Sequence, residues 1–319
     1  MLRKMYLRKI MVATVALVLL GLLYFMPGGS PSQYDIPSTE VIYQYSNQKL
    51  AVYLFDKNNY VSRVVVPFGN SSFEKRLEDI FGFLIVDGEK SNLIPNGFCS
   101  VLPKGTKVLS TQLDNKILTV NFSNELMKVD KSLAEKMVEA LIYSLTELDG
   151  VLGITIQVEG KNLEVIPYSQ KQLPLVLDRS FGINKIYDLV SPQNVESCTV
   201  YYVGTDLDLE YYVPITKYVN GKTEEKIRTI IRELSASPIT ETNLKSYLDT
   251  NVSLIDYSIS EDQVRLNFND AIFYNQERKI LEEVLYTISF SVLDNFSTRE
   301  VVFLVNNEEI YKNSSKMLE

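Results

Sequence analysis

Apolar and polar residues alternate with a period of two in several short stretches of the chain. At positions 118–123, Leu118, Val120 and Phe122 alternate with polar residues, and the same alternation returns at positions 264–269. A period of two is typical of a β-strand with one buried and one exposed face. Such strands favour a mostly antiparallel sheet with helices on one face, which is the layered α+β arrangement.

The same pattern of segments occurs twice, so the chain is predicted to be a tandem repeat. Leu118-Thr-Val-Asn-Phe-Ser matches Val264-Arg-Leu-Asn-Phe-Asn, and similar strands and apolar helical stripes flank both segments in the same order. Each copy reads strand, strand, helix, strand, strand, helix, strand. Self-similarity at a nearly fixed offset means that one fold is built twice, and a site present in one copy must appear as a departure from the repeat.

The repeat and its flanks divide the chain into six parts. They are a basic flank and membrane anchor at 1–30, a tether at 31–48, a first domain at 49–166, a connection at 167–196, a second domain at 197–311 and a tail at 312–319. The connection is too long for a simple turn and too apolar for a free linker. We expect it to lie against one or both domains.

The N-terminus predicts a transmembrane anchor. Four basic residues, the last of them Lys9, precede an uncharged run from Ile10 to Met26. The positive flank places the N-terminus in the cytoplasm and the two domains outside the cell membrane. A cleaved signal peptide is the alternative, but the run exceeds the usual length and no A-x-A-like site follows it. Lipoprotein processing is excluded because no cysteine lies near the end of the run.

Composition removes several classes of function. The net charge of −8 disfavours nucleic acid as a partner, because such binding depends on cationic contacts with phosphate. The chain has no histidine, so Ser-His-Asp triads, Cys-His pairs and the usual zinc sites cannot form. A carboxylate pair for glycoside hydrolysis remains possible in principle. The densest acidic groups are Asp206, Asp208 and Glu210, and Asp87 with Glu89, which are best explained as solvated hairpin or loop positions.

Six polar or aromatic positions and two cysteines are candidates for a site. Asn121 and Asn267 are polar residues at identical places in the two strongest segments, and they either mark a binding site or bond the turn that follows their strand. A cluster of four tyrosines is either an aromatic platform that binds sugar or protein, or a part of the hydrophobic core. Its members are Tyr201, Tyr202, Tyr211 and Tyr212. Cys99 and Cys198 are expected to be separate thiols, with a disulfide as the alternative. No metal or cofactor is expected.

Several segments in a fixed order resemble one known family. Pro103-Lys-Gly-Thr-Lys-Val-Leu-Ser precedes the strand at 118–123, and the helix through Leu141-Ile-Tyr-Ser-Leu-Thr-Glu-Leu and the strand Ile154-Thr-Ile-Gln-Val-Glu-Gly follow it. This order is similar to the GerMN domain of sporulation and spore-germination proteins. The second copy resembles it less closely, because it lacks the Pro-Lys-Gly-Thr turn.

The resemblance implies two tandem domains similar to ring-building-motif domains. It also implies a non-catalytic extracytoplasmic scaffold of spore-forming Gram-positive bacteria, with envelope or sporulation-channel proteins as partners, peptidoglycan as a further candidate and oligomers allowed. No catalytic residues are known for the family, so none are carried over. The rival hypotheses are a peptidoglycan-processing enzyme that uses a carboxylate pair and a passive wall-binding module.

Overall fold

The computed structural model describes most of the chain beyond the N-terminus. The described residues are 48–68, 72–191, 193–206, 209–220, 225–236, 243–274, 278–296 and 298–314. The predicted anchor at 1–30 and nearly all of the predicted tether lie outside them. In the described part of the chain, no helix has the length and apolarity that crossing a bilayer requires.

The predicted order of elements occurs in both repeats, which confirms a tandem α+β fold. The first repeat consists of β1 (Gln48–Asp56), β2 (Val61–Phe68), α1 (Phe73–Leu84), β3 (Phe98–Cys99), β4 (Val108–Asp114), β5 (Ile117–Phe122), α2 (Ala134–Leu145), β6 (Gly153–Val158) and β7 (Lys161–Asn162). The connection contributes β8 (Ile186–Asp188). The second repeat consists of β9 (Val195–Asp206), β10 (Leu209–Asn220), α3 (Lys226–Ser235), β11 (Leu244–Lys245), β12 (Leu254–Ile259), β13 (Gln263–Phe268), α4 (Glu282–Asn295), β14 (Glu300–Val305) and β15 (Glu308–Ser314).

Local signals in the sequence explain where α1 begins and which face it buries. The Ser72 side chain accepts a hydrogen bond from the Lys75 amide at the helix N-terminus, a cap that contributes about 1 kcal/mol. The stripe at helical spacing is buried, and it includes Leu77, Ile80 and Leu84. The helix therefore packs along the face that the sequence pattern predicts.

Each repeat contains a four-stranded sheet with its helices on one face. The orders are β4-β5-β6-β7 and β12-β13-β14-β15, and within each sheet only the middle pair is parallel. Leu118, Val120 and Phe122 of β5 are fully buried, whereas the residues between them are partly exposed. On the buried face the ring of Phe122 lies 5.7 Å from that of Phe81 in α1. The alternation in the sequence thus identifies the helix-covered face correctly.

The first hairpins of the two repeats form a seven-stranded sheet that both repeats share. Its order is β11-β9-β10-β2-β1-β3, with β8 beside β10. The two hairpins meet where β2 and β10 pair antiparallel at Arg63 and Tyr212. The same elements therefore recur in reverse order on the two sides of this contact, so the shared sheet has an approximate two-fold relation.

The shared sheet differs from the predicted arrangement because β9 is covered on both faces. The ring of Tyr201 lies 5.2 Å from Phe290 of α4, whereas the Tyr202 hydroxyl donates to the Glu233 carbonyl of α3 at 3.1 Å. Neighbouring strand residues point to opposite faces, so the two helices lie on opposite sides of β9. Helices on a single face are a property of the four-stranded sheets only.

The buried side chain of Asn184 is one of the contacts by which the connection lies against both repeats. Its amide nitrogen donates to the carbonyls of Val61 and Pro214, each at 2.8 Å, and its carbonyl oxygen accepts from the Val61 amide at 2.9 Å. Proline has no N–H, so β10 cannot complete a regular ladder with β2 at this position. Asn184 takes the place of those ladder hydrogen bonds and joins the two hairpins.

We expect Asn184→Ala to destabilise the protein by about 2 to 4 kcal/mol, because it leaves buried backbone groups of Val61 and Pro214 without partners. Urea unfolding followed by circular dichroism measures the change. The backbone of Asn184 has φ of 45°, which alanine tolerates poorly, so Asn184→Gly separates backbone strain from lost hydrogen bonds. Asn162→Ala is the control, since Asn162 is exposed and its side chain bonds Gln157 only. Equal effects of Asn184→Ala and Asn162→Ala would contradict the proposed role.

Candidate functional site

A densely hydrogen-bonded group of polar side chains lies between the two repeats. It consists of Tyr53, Glu147, Arg179, Tyr201 and Asp294, which we call the clasp. Tyr53 and Tyr201 lie at matching positions of β1 and β9, and the two acids lie at the ends of α2 and α4. Arg179 belongs to the connection and has no counterpart in either repeat. The clasp therefore combines one tyrosine and one acid from each repeat with a single cation.

Each repeat fixes its tyrosine in the same way. The Tyr53 amide donates to the Ser144 hydroxyl at 2.9 Å, and the Tyr201 amide donates to the Ser291 hydroxyl at 2.9 Å. The Tyr53 hydroxyl donates to Glu147 at 2.9 Å, three residues after its serine. The Tyr201 hydroxyl donates to Asp294 at 2.7 Å, again three residues after its serine. Ser291 and Asp294 are three residues apart within α4 and so lie on one helical face. Ser144 and Glu147 have the same spacing across the end of α2, and Glu147 follows the helix by two residues.

Two contacts join the halves of the clasp. The hydroxyls of Tyr53 and Tyr201 lie 3.0 Å apart. The Arg179 guanidinium donates to Glu147 at 2.8 Å and also donates to Asp294. The Arg179 Nε donates to the Thr146 hydroxyl at 2.9 Å, and its Cζ lies 4.9 Å from the centre of the Tyr143 ring. One cation thus pairs with an acid from each repeat.

Burial and charge determine the protonation of these groups. Burial raises the pKa of the Asp294 carboxyl, and Arg179 offsets only part of that effect. Burial also disfavours the Glu147 carboxylate, but Arg179 and Arg63 outweigh it and the pKa of Glu147 is lowered. Burial raises the pKa of both Tyr53 and Tyr201 well above the usual value for tyrosine. The hydroxyls therefore remain donors at neutral pH.

The acids of the clasp do not have the arrangement of a glycosidase pair. Such a pair faces a substrate across a cleft, with one carboxyl free to give a proton and the other free to act as base or nucleophile. Glu147 and Asp294 instead share the Arg179 guanidinium, and each also accepts from a tyrosine hydroxyl. Tyr53 and Arg179 both donate to Oε1 of Glu147, whereas Asp294 accepts from Arg179 at Oδ1 and from Tyr201 at Oδ2.

Most of the acidic positions singled out in the sequence also have partners. Asp206 pairs with Lys57. Glu210 accepts from the Tyr247 hydroxyl at 2.7 Å, and Asp87 pairs with Lys104 at 2.5 Å. Glu89 is exposed, and Asp208 lies outside the described residues. Across the described ranges, no cluster of three or more acids or thiols has the spacing of a metal site.

A shallow groove opens where β2 and β10 separate beyond their single contact. It has a volume of about 280 Å³, at the lower limit for small-molecule sites. We call it the seam groove, and its lining includes Lys49, Arg63, Val65, Phe98, Leu209, Tyr212, Tyr286 and Phe290. Val65 and Leu209 on its two strands are 38% and 42% exposed. The lining is largely apolar and aromatic, so the groove suits a short apolar segment.

The four candidate tyrosines do not form one exposed platform. Tyr201, Tyr202 and Tyr211 are buried, and the Tyr211 hydroxyl donates to Asp56 at 3.0 Å. Tyr212 alone is partly exposed, and it lines the seam groove. Packing therefore accounts for three of these residues, and Tyr201 has an additional role in the clasp.

Asn121 and Asn267 are placed alike and bond matching turns. The Asn121 side chain accepts from the Gly160 amide at 2.9 Å, and the Asn267 side chain accepts from the Asn307 amide at 3.0 Å. Both turns follow the neighbouring parallel strand, whereas the sequence pattern suggested the turn after the asparagine's own strand. Gly160 and Asn307 both have positive φ, so the side chains stabilise tight hairpin turns. The role of both asparagines in this structure is to hold a turn.

The two cysteines are separate thiols, with Cys99 exposed and Cys198 buried. Burial raises the pKa of the Cys198 thiol to about 11. A thiol with such a pKa is almost entirely protonated at neutral pH and reacts slowly. Cys99 is therefore the more reactive of the two thiols.

Sequence reasoning missed the residues that join the repeats. Arg179 and Asn184 are single residues of the connection, so no repeat identifies them. Tyr53 and Tyr201, in contrast, occupy matching strand positions, and a serine followed three residues later by an acid ends both long helices. That repeated spacing was a signal for the two symmetric halves of the clasp.

Comparisons with known proteins agree with this architecture. The family model Germane, described as sporulation and spore germination, matches residues 51–164 and 199–311. The spore germination protein GerM of Bacillus subtilis (strain 168) is 29% identical over 265 residues, which cover 81% of this chain and 71% of that protein. The solved tandem GerMN domains of the sporulation protein GerM from Bacillus subtilis superpose with a TM-score of 0.74 at 28% identity, covering 82% of this chain and 92% of that one.

We expect Arg179→Leu to destabilise the protein by about 3 to 5 kcal/mol at pH 7, because two acids of the clasp lose their cation. Without it, the pKa of the Asp294 carboxyl, already raised by burial, rises further and the pKa of Glu147 also rises, so protonation at lower pH relieves part of the penalty. In the wild type, the lowered pKa of Glu147 contributes stability above its unfolded pKa that is lost as pH falls. Both effects make the difference between variant and wild type shrink between pH 7 and about pH 4.

Urea unfolding at several pH values measures this difference. Arg265→Leu is the matched control, because Arg265 forms an exposed pair with Glu309 at 3.2 Å. Exposed pairs contribute about 0 to 1 kcal/mol, so its effect should be small at every pH. If the free energy of unfolding of Arg179→Leu stays below that of the wild type by the same amount at every pH, the lost stability is not electrostatic.

Proposed function

The chain belongs to the Germane family of sporulation and spore-germination proteins, and on this basis we propose that it is a non-catalytic, membrane-anchored extracytoplasmic scaffold. In this role it helps to assemble the cell envelope during sporulation or germination. The clasp is the observation that supports the proposal most directly. It pairs an acid from each repeat with one arginine of the connection.

A rigid pair of domains is useful to a scaffold because it holds two binding surfaces at a fixed spacing. The repeats share a sheet, and Asn184 and the clasp join them at separate places. Separating them would expose buried charges and unpaired backbone groups, both of which are costly. We therefore expect the two repeats to act as one unit during assembly.

The chemistry of the described residues supports binding more than catalysis. The chain lacks histidine, and the acids of the clasp already have partners. The rival enzyme hypothesis requires a free carboxylate pair beside a cleft. Glu210 is the one acid that lines the seam groove, and of the two acids that line a second cavity, Glu147 and Asp149, the first is paired with Arg179. A passive wall-binding role requires exposed tyrosines, and three of the four candidates are buried. Envelope or sporulation-channel proteins are thus the favoured partners, ahead of peptidoglycan.

The seam groove is the proposed contact for such a partner. Its largely apolar lining and its position between two separated strands suit an extended apolar segment of another protein. Val65 and Leu209 lie one on each strand of the groove and are exposed without an evident folding role. Exposed apolar side chains that flank a groove are typical of protein contacts.

Genetic complementation tests this function. Production of the full chain in a Bacillus subtilis strain that lacks GerM is expected to restore heat-resistant, germinating spores. Val65→Glu and Leu209→Glu, introduced together, should lower the number of such spores at least about tenfold, because two charges in the groove oppose an apolar partner. Tyr274→Glu is the control, since Tyr274 is 70% exposed and lies outside the groove.

Immunoblots establish that all variants are produced at equal levels. If the wild-type chain is produced but restores no spores, the proposed function is wrong. If the groove variant performs as well as Tyr274→Glu, the scaffold hypothesis stands but the seam groove is not its partner contact.

The anchored topology rests on the basic flank and the uncharged run from Ile10 to Met26. Exposed Cys99 provides a reporter for it, because burial protects Cys198 from labelling. A membrane-impermeant maleimide should label the chain in intact cells, and Cys99→Ser should abolish that labelling. Labelling that appears only after lysis would place the domains in the cytoplasm and contradict the topology.

A further inference from the structure

The second cavity lies beside the first residues of β1 and carries charges that the fold does not pair. It has a volume of about 180 Å³, and Lys49, Arg76 and Asp149 are among the residues that line it. None of these three side chains forms an ion pair with another described residue, and the buried Nε of Arg76 lacks a hydrogen-bond partner among them. A buried donor without a partner is rare in folded proteins, so this guanidinium is a candidate for ligand binding. We call this space the β1 cavity.

The free edge of β1 adds backbone groups to the β1 cavity. The Tyr53 amide donates to the Ser144 hydroxyl and therefore points away from β2. Backbone groups two residues apart on a strand point the same way, so the N–H and C=O of Ala51, which lines the cavity, also point away from β2. On that side β3 pairs with β1 only at Phe55 and Asp56. In the described part of the chain no group bonds these outward groups of Ala51, and they offer one donor and one acceptor.

The second repeat bonds the matching backbone groups with its own side chain. Thr199 is the counterpart of Ala51, and the Asn295 side chain accepts from the Thr199 amide at 3.1 Å and donates to the Thr199 carbonyl at 2.7 Å. The residue that matches Asn295 in the first repeat is Leu148, which likewise follows the acid of the clasp. A leucine side chain forms no hydrogen bonds. The groups that Asn295 satisfies in the second repeat therefore stay open in the first.

The charges of the β1 cavity also distinguish the first repeat from the second. Ser197 lies at the position that matches Lys49, and Phe296 lies at the position that matches Asp149. When the apolar stripes of α1 and α3 are aligned, Arg76 alone has a charged counterpart, Lys226. A site built into one copy must appear as a departure from the repeat. The β1 cavity is such a departure, both in side-chain charge and in backbone bonding.

The groups around the β1 cavity match the two polar ends of an amino acid. Arg76 and Lys49 suit a carboxylate, which forms strong charge-assisted hydrogen bonds with cationic side chains. The Ala51 carbonyl suits an N–H group, Asp149 suits an ammonium group and disfavours a dianion such as phosphate, and Leu148 adds an apolar wall. Sites for drug-sized ligands begin at about 300 Å³. The smaller volume of this cavity limits its ligand to roughly one amino acid.

We propose that the β1 cavity binds an amino-acid unit with a free α-carboxylate. The carboxylate accepts from Arg76 and Lys49, and the nitrogen on the same carbon donates to the Ala51 carbonyl. Such a unit is either a free amino acid or the C-terminal residue of a peptide. The two sources share the carboxylate and differ in the charge on the nitrogen. Lys49 is the one residue that lines both this cavity and the seam groove, and the proposal does not rest on the scaffold function.

Isothermal titration calorimetry on the full chain, purified in mild detergent, tests the carboxylate. Valine is the probe for a free amino acid, N-acetylvaline is the probe for the end of a peptide, and valinamide lacks the carboxylate. We expect valine or N-acetylvaline to bind with a millimolar or lower Kd. Valinamide should bind at least about tenfold more weakly than the tighter of the two, because it loses the contacts with both cations.

Substitutions in and outside the cavity locate the site. Arg76→Gln should weaken binding at least about tenfold, because it removes a charge-assisted contact. Lys226→Gln is the matched control, since Lys226 has the same place in the helix of the second repeat. Circular dichroism verifies that both variants are folded. If Arg76→Gln does not fold, Lys49→Ser, which introduces the residue of the second repeat, takes its place with the same expected loss.

Asp149→Asn distinguishes the two sources of the carboxylate. If the ligand is a free amino acid, valine binds more tightly than N-acetylvaline and Asp149→Asn weakens its binding, because the ammonium group loses its acid. If the ligand is the end of a peptide, N-acetylvaline binds more tightly and Asp149→Asn leaves its binding unchanged. The proposal is overturned if neither probe binds at millimolar concentration, if valinamide binds as tightly as the better probe, or if a folded cavity variant loses no more affinity than Lys226→Gln.

Discussion

Two acids that share one arginine, Asp294 with a buried side chain and Glu147 with a largely buried one, are the constraint on which the arrangement of the repeats depends. Each repeat brings an acid to the end of its long helix, and the cation that contacts both acids belongs to the connection. Burying a carboxylate without a partner costs several kcal/mol, so the connection must pass close enough to place Arg179 between them. The path of the connection, the contact of the two tyrosine hydroxyls and the position of Asn184 are all compatible with this one requirement.

The sequence predicts the parts of the fold that are expressed as periodic patterns. Alternation in β5 and β13 identifies the buried face of each four-stranded sheet, and helical spacing identifies the stripe that α1 buries. Neither pattern shows which strand lies beside which. The shared sheet was missed because a period of two reports on faces and not on lateral neighbours. Every residue from Cys198 to Gly204 is buried, and such a run does not reveal the helices that cover it.

In the candidate site too, residues that recur in both repeats are visible in the sequence, whereas residues that occur once are not. Asn121 and Asn267 are visible as a repeat, and the structure gives them matching turns. Tyr201 was noticed because it belongs to a tyrosine cluster, but its partner Tyr53 stands alone in its strand. Arg179 and Asn184 occur once, in a segment without periodicity, so no local pattern distinguishes them from surface residues. Only the three-dimensional contacts reveal them.

The symmetric order of the shared sheet has the form of a homodimer interface joined into one chain. A protein with a single such repeat would place two identical hairpins, tyrosines and acids around a two-fold axis. After duplication and fusion, the two halves are encoded separately and can evolve independently. The first repeat, for example, has the Pro103-Lys-Gly-Thr turn that the second lacks, a difference that identical subunits cannot have.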